Sequence, residues 1–578
     1  WALSKSWVLL SKSTCSCPGV SCRELVPRLQ ITALFLAEKM VFDGDPSAVG
    51  LVALAALAGA LGNAIDPVAV MAWIHPLLSL AAFSRAVLVK GQWPGMALFA
   101  GGQTLGFVLA FASLFPFPAS MGGLGASLVA VSIFGAFFWT LFTVAVYLPN
   151  HLLCSRFPHG PLRVLAFPVL HSVGTLLLLE PFVGTFGSSA NAVIDNDSVR
   201  QLAALGGLPL INFVVHFLAA VLYATAQVQL GLDEMPSARA VARQRTFLRL
   251  QVLPSLGTIL VALVAGGLLA LRGSFYQQDM VATLPTRLAH AACILAQNAP
   301  PGTPAWDTVL ASTSERLAAG DDIVMWSEAG LKVFGREGEQ SLLSGIGKQL
   351  AKHPDAFVGA TYSLHVNATG TEFCGEGVAS RTPAVGGKVT ARVFNCFALL
   401  GEGGLVLWNY TKAFPVPVTE SHVTAGPAIL PTTSTKQLGM LGGAICFDLD
   451  HPSFIRQAGL AGVDVLLQPS WTWGSIAHRH FQDNAVRAIE NGVSLFRCAS
   501  GGTSGFVSPT GRILSQADGF SNETLTFSLP LYPRRSPPYP MLGLVLDPLL
   551  TILALAALGI AATPWLQLQC FGAQGGGG

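Results

Sequence analysis

Between Ser47 and Leu271 the chain is a succession of apolar stretches of roughly 17 to 26 residues, each long enough to cross a bilayer core as a helix. This feature restricts the fold more than any other. Seven stretches are legible: Ser47–Asn63, Pro67–Val87, Pro94–Phe115, Gly123–Leu148, Leu162–Leu179, Leu208–Leu230 and Leu250–Leu271. An eighth runs from Met541 to about Pro564. A charged fraction of 11% and a mean hydropathy of +0.55 exclude an ordinary soluble protein of this length. The pattern predicts a polytopic α-helical membrane bundle of about eight spans.

Residues 272–540 differ in character, with acids, lysines and short β-like runs. They read as one soluble domain inserted between spans seven and eight. The expected organisation is an unstructured segment over 1–46, a seven-helix bundle over 47–271, the soluble domain over 272–540, the eighth helix over 541–564 and a tail over 565–578. The first segment, with Cys15, Cys17 and Cys22, shows no signal-peptide core or cleavage site. Gly575–Gly578 reads as flexible.

Loop charge gives an orientation. Arg85, Lys90, Arg156, Arg163, Arg239, Arg243, Arg245 and Arg249 lie in alternate loops, while the others carry Asp66, Glu180, Asp195 and Asp197 with only Arg200 in reply. The arginine-rich loops are expected to face the cytoplasm. The soluble domain is then extracytoplasmic, periplasmic or lumenal, as are the Asn-x-Ser/Thr sites at Asn196, Asn367, Asn409 and Asn522. Asn409 is expected to stay unmodified, because a glycan three residues from Lys412 would crowd a site there. A net charge of +2 without a basic stripe excludes a nucleic-acid partner. No CxxC or HExxH pattern occurs, so neither a metal nor another cofactor is expected. Cys374 and Cys396 are a candidate pair in an oxidising compartment, whereas Cys293 and Cys498 read as buried thiols.

Within the soluble domain, HAACILAQNA, Val324–Glu328, AFVGATYSL, LVLWNYTK, LGGAICF, VDVLLQPS, SLFRCAS and GFVSPTGRIL read as strands. Trp306–Ala319, Ser453–Gly459 and His478–Glu490 read as helices between them. This alternation predicts an α/β domain. Three strands end in an ionisable residue, Glu328, Lys412 and Cys446, and are expected to converge at one sheet edge. A carboxylate to take the thiol proton, a thiolate nucleophile and an ammonium for the oxyanion make a cysteine acyl-transfer centre. Lys412 is expected to lower the thiol pKa. Taken alone, each residue has an ordinary reading: a buried cysteine, a solvated glutamate, a surface lysine. Their order and matching contexts favour the catalytic one. Arg487 and Glu490, three apart on a helix, read as a structural ion pair.

The order Glu328, Lys412, Cys446, together with RAIENGVSLFRCASGGTSGFVSPTGRI, resembles the nitrilase or carbon–nitrogen hydrolase superfamily, whose fold is an α-β-β-α sandwich. A domain of that kind held between a seventh and an eighth membrane helix is similar to the apolipoprotein N-acyltransferases. EPFVGTFGSSANAVIDNDSVRQLAALGGLPLINFVV looks like a loop and helix of that family. The resemblance implies an acyl chain taken from a phospholipid as a thioester on Cys446 and passed to the amine of a lipoprotein. Glu328 is then the base and Lys412 the oxyanion stabiliser, in a monomer in contact with membrane lipid.

Glu420 lies near a second glutamate of that family. Phe447 and Asp448 stand where the acyltransferases usually have Tyr-Glu and soluble members often have Tyr-Asp. Trp471 and Trp473 alternate at a strand end, where core packing competes with lining an acyl pocket. Two rival readings remain: a membrane-anchored amidase in which water resolves the thioester, and a bundle with a lipid- or protein-binding domain and no catalysis.

Overall fold

The computed structural model describes residues 48–62, 69–111, 123–157, 161–185, 188–194, 196–229, 287–368, 373–375, 390–417, 419–472, 476–519, 523–532 and 534–572, with residues 246, 252, 254–259 and 261. The expected unstructured segment 1–46, most of the seventh span Leu250–Leu271, and Trp473 lie outside them.

Among the described residues, five helical segments are long and apolar enough to cross a membrane: Val70–Lys90, Leu128–Arg156, Leu162–Val183, Ala203–Gln227 and Tyr539–Thr563. Ala48–Gly62 is a shorter apolar helix, and Gln92–Phe111 lies between the second and fourth expected spans. Small residues let these helices approach closely. A Cβ on Gly106 would meet the Ala56 carbonyl oxygen at 2.4 Å, and one on Gly102 would meet Val52 Cγ1 at 2.2 Å. The helix Ala203–Gln229 is broken at its start, where Gly206 and Gly207 leave helical geometry just before Pro209. Gly207, at φ +65°, lies where a Cβ would sit 2.5 Å from the Tyr539 ring, so only glycine suits that position.

Two β-sheets face one another. The first carries β1 (Leu288–Ile294), β2 (Ile323–Trp326), β3 (Leu331–Phe334), β4 (Phe357–Ala368), β5 (Thr390–Gly401), β6 (Leu405–Thr411) and β13 (Thr524–Pro530), in the order 13-1-2-4-5-6 with β3 paired to β4. The second carries β7 (Thr432–Thr435), β8 (Gly439–Gly443), β9 (Val465–Trp471), β10 (Ser494–Ser500), β11 (Gly502–Val507) and β12 (Ile513–Gly519), in the order 12-11-10-9-8-7. Strand alternation divides the apolar residues between layers. Ala291 and Cys293 of β1 join a core with Leu467, Phe496 and Phe506 of the second sheet. Ala292 and Ile294 face the opposite way, toward the helices Pro304–Ala318 and Gly335–Leu350. The helices Pro452–Ala461 and Ile476–Asn491 accompany the second sheet, completing an α-β-β-α sandwich.

The expected helices of this domain are present, as are the expected strands except GFVSPTGRIL, which is divided between the end of β11 and the start of β12 by a turn over 508–512. β3, β5, β7, β13 and the helix Gly335–Leu350 carry weaker sequence signals. β13 has only two fully buried residues in its seven, and the helix contains Gly338, Gly345 and Gly347, which dilute its pattern.

Cys374 and Cys396 form a disulfide. Cys293 and Cys498 are not free thiols as expected: they join β1 of one sheet to β10 of the other across 205 residues of sequence. Their bland appearance has a physical cause, because each lies in an apolar strand pointing into the core, and pairing depends on a sheet-to-sheet approach that no local spacing reveals. Cys498→Ala should cost about 2–5 kcal/mol by releasing that long loop. The check is a lower apparent melting temperature of the detergent-solubilised protein.

The Asn409 amide donates to Glu339 Oε1 at 3.1 Å and to the Tyr362 hydroxyl at 2.6 Å. It faces the helix Gly335–Leu350 rather than Lys412, so the physical obstacle to a glycan is this partly buried network and not the crowding expected from sequence. Asn196 is also engaged, its side chain capping Val199 N at 3.1 Å.

Candidate active site

Glu328, Lys412 and Cys446 each follow a strand: Glu328 comes two residues after β2, Lys412 directly after β6 and Cys446 three residues after β8. They do not share one sheet edge. β2 and β6 belong to the first sheet and β8 to the second, so the site forms where strand ends of both sheets meet.

Glu328 is 2% exposed and Lys412 fully buried. Lys412 Nζ donates to Glu328 Oε1 and Glu420 Oε2, both at 2.7 Å. Asn395 Nδ2 donates to Glu328 Oε1 at 2.8 Å, and the Trp471 backbone N–H donates to Oε2 at 2.7 Å. Every oxygen of the candidate base therefore has a donor, and its orientation is fixed from β5, β6 and β9. Burial alone would lower the Lys412 pKa, but the charges of Glu328 and Glu420 outweigh it and hold the ammonium well above the ordinary lysine range.

Cys446 opens a short 3₁₀ turn, Cys446–Asp450, with φ +47°. A left-handed non-glycine residue costs of order 1–3 kcal/mol and persists only where its surroundings fix it. Here Gln468 Nε2 holds the Cys446 carbonyl at 3.2 Å, and Asp448 Oδ2 accepts Ile445 N–H at 2.9 Å. The Trp471 carbonyl lies 3.8 Å from Sγ. Trp471 thus touches the candidate base through its N–H and the candidate nucleophile through its C=O.

Lys412 lowers the thiol pKa as expected, but burial has the larger effect. Burial pushes it up to about 12, with Glu328 adding to the rise and Lys412, Arg497 and a Ser470 hydrogen bond opposing it. Burial thus opposes a standing thiolate, and the mechanism has to remove the proton as sulfur attacks. Iodoacetamide alkylation of folded Cys446 should therefore rise about tenfold per pH unit from pH 7 to pH 10 with no plateau near the ordinary thiol value of about 8.5. Peptide mapping separates it from the other cysteines, among them the free Cys154.

Glu420 joins the site through Lys412 and is fixed by Val416 N at 2.6 Å. Asp448 is placed otherwise. It accepts from Tyr410 Oη and Ile445 N at 2.9 Å and, through its other oxygen, from Phe414 N at 2.9 Å, so it ties the cysteine turn to the segment after Lys412. Burial raises its pKa to about 7. Phe447 packs edge-on against His451, itself stacked on Phe414 at 3.8 Å.

Four residues absent from the sequence reading belong to this region. Asn395 lies on β5, which that reading did not isolate. Gln468 lies within the expected strand VDVLLQPS, where nothing in the run marks it as a site residue. Arg497 is fully buried on β10, paired in register with Gln468, and donates to Thr503 O at 3.1 Å and Thr472 Oγ1 at 3.2 Å. His480 Nε2 lies 2.7 Å from Asp450 Oδ2, and its Nδ1 lies 3.3 Å from Arg497 Nη2. A buried arginine in an apolar strand, unexplained by any neighbour in sequence, was the available signal. Arg487 and Glu490 pair at 2.8 Å as expected. Among the described residues, no three His, Cys, Asp or Glu side chains are grouped to hold a metal ion.

The sequence model of the Carbon-nitrogen hydrolase family matches residues 291–535, which contain Glu328, Lys412 and Cys446. This part of the chain is a carbon–nitrogen hydrolase domain. Apolipoprotein N-acyltransferase of Haemophilus influenzae is 31% identical over 142 residues, 24% of this chain and 26% of that protein. The enzyme of the same name from Allorhizobium ampelinum is 24% identical over 209 residues, 31% of this chain and 38% of that protein. Human deaminated glutathione amidase is 32% identical over 96 residues, 15% of this chain and 29% of its own. The chain thus matches less than two-fifths of the length of these relatives. Among solved structures, a C145A mutant of the amidase from Nesterenkonia sp. AN1, in complex with butyramide, is 19% identical with a TM-score of 0.33, covering 44% of this chain and 93% of that one.

Proposed function

We propose that the chain is a membrane N-acyltransferase that moves a fatty acyl chain from a phospholipid, through a Cys446 thioester, to an amine such as a lipoprotein N-terminus. The observation that carries this reading is the buried Glu328–Lys412–Cys446 centre in a chain whose described residues include five helices long and apolar enough to cross a bilayer. A water-soluble amide needs no such helices, whereas a lipid donor reaches a thiol most directly from the membrane.

In the first stage Glu328 takes the thiol proton as Sγ attacks the ester carbonyl. Lys412 stabilises the oxyanion, and the proton passes to the departing lysophospholipid alkoxide. In the second, the amine attacks the thioester, an amide forms, and the amine proton returns through Glu328 to sulfur. Glu420 holds Lys412 from the other side, and no metal or organic cofactor takes part. The reading extends to eight spans in a monomer, with the domain on the extracytoplasmic or lumenal side. Alternate-loop arginines and the two disulfides, which persist in oxidising compartments, support that placement.

The test is the intact mass of the full chain after incubation with a defined phospholipid. A fatty-acyl increment released by hydroxylamine is expected, followed by transfer to an added peptide amine. The match to deaminated glutathione amidase favours a second reading, an anchored amidase. Ammonia or free-acid release without an amine acceptor, and no lipid adduct, would replace the first reading with the second.

A further inference from the structure

The turn that begins at Cys446 is held at its near end by Gln468 and by Asp448, both within the catalytic domain. Its far end is held by the membrane segment. Thr185 N–H donates to the Asp450 carbonyl at 2.7 Å. Gly184 has φ +58°, and a Cβ there would lie 2.5 Å from Asp450 Cβ, so the backbone after the span Leu162–Val183 rests directly on this residue. Asn191 secures the arrangement: its Nδ2 reaches the Thr185 carbonyl at 2.9 Å and Asp483 Oδ2 at 3.2 Å, and its own carbonyl accepts from Arg479. Asp450 is bound on its other side to His480, which contacts Arg497 beside Gln468.

We infer that Gly184, Thr185 and Asn191 of the membrane segment are positioning residues for the catalytic centre, acting through Asp450 on the Cys446 turn. The inference rests on the reading of Cys446 as the acyl-carrying nucleophile. A buried non-glycine residue at φ +47° has no conformational preference of its own for that geometry, so it depends on both ends of its turn being fixed. One of those ends is outside the hydrolase domain. The membrane segment therefore does more than tether the domain: it completes the alignment of sulfur with Glu328 and Lys412.

The experiment uses the full chain in detergent with Gly184→Ala and Asn191→Ala, each compared with the parent for phospholipid-dependent acylation and for iodoacetamide alkylation of Cys446. Misplacement of a nucleophile by about 1 Å can cost a hundredfold. Gly184→Ala should slow acylation at saturating phospholipid about tenfold or more, with the half-saturating donor concentration changed less than about threefold. Alkylation should change in the opposite direction, speeding up about threefold or more in a single phase, because a loosened turn exposes the thiol. If Gly184→Ala does not fold, Asn191→Ala decides by the same two rates. Parental rates of both acylation and alkylation in folded variants would overturn the inference. If the parent accepts no acyl chain, the functional reading fails, while the alkylation rates still decide whether the membrane segment holds the turn.

Discussion

Cys446→Ala should give a folded protein that gains no acyl mass from phospholipid and transfers none to an amine, with a rate at least about 10⁴-fold below the parent. Removing the sulfur eliminates the group proposed to form the covalent intermediate. Lys412, Glu328 and Glu420 keep their mutual contacts, because no hydrogen bond among them involves the thiol. The 3.8 Å contact to the Trp471 carbonyl and the Ser470 hydrogen bond to the thiol are lost. The stability change should stay within about 1 kcal/mol, since the exchange is small and leaves no charge unpaired. The intact-mass assay reads the adduct, and tryptophan fluorescence or melting reads the fold. Loss of activity with an intact fold is common to the acyltransferase and the amidase, so this variant divides both from a binding protein. Full activity in Cys446→Ala would remove Cys446 from the chemistry altogether.

How much of this site can be read from sequence differs between its parts, and the difference has a physical origin. Glu328, Lys412 and Cys446 were legible because each ends a strand-like run, where a charged or nucleophilic group is out of keeping with the apolar residues before it. Trp471 was legible only as a residue: its contribution to the base and the thiol is made by its backbone, which no side-chain pattern encodes. Asp448 was legible as a neighbour of the cysteine, yet its three accepted hydrogen bonds make it an anchor of the turn. Asn395, Gln468 and Arg497 come from strands far apart in the chain, and only the pairing of β5 with β6 and of β9 with β10 brings them to the site. The Cys293–Cys498 bridge escaped for the same reason. The net direction of the thiol pKa was not legible, because a sequence names the nearby cation, which does lower it, but not the degree of burial, and here burial is the larger effect.

Lys412→Met should both stop acyl transfer and destabilise the domain, and the two losses can be separated. Methionine fills much of the lysine volume but leaves Glu328 and Glu420 without the ammonium that lies 2.7 Å from each. Glu328 is then a buried carboxylate held only by Asn395 and the Trp471 N–H, and an unpaired buried charge costs about 3–5 kcal/mol. The variant can relieve this by protonating a carboxylate, whose folded pKa then lies above its unfolded value. Such a group binds more protons folded than unfolded, so the variant's stability should fall as pH rises. Its deficit against the parent should accordingly be larger at pH 8 than at pH 5, measured by melting temperature at both values. Acylation should fall about 10²–10³-fold or more from loss of oxyanion stabilisation. Adding Glu328→Gln removes one of the stranded charges and should recover part of the stability at pH 8 without restoring acylation, because the base is now missing as well. A single variant as stable as the parent at pH 8 would mean that Lys412 does not balance the two carboxylates, and a double variant that regained acylation would show that neither residue serves the chemistry.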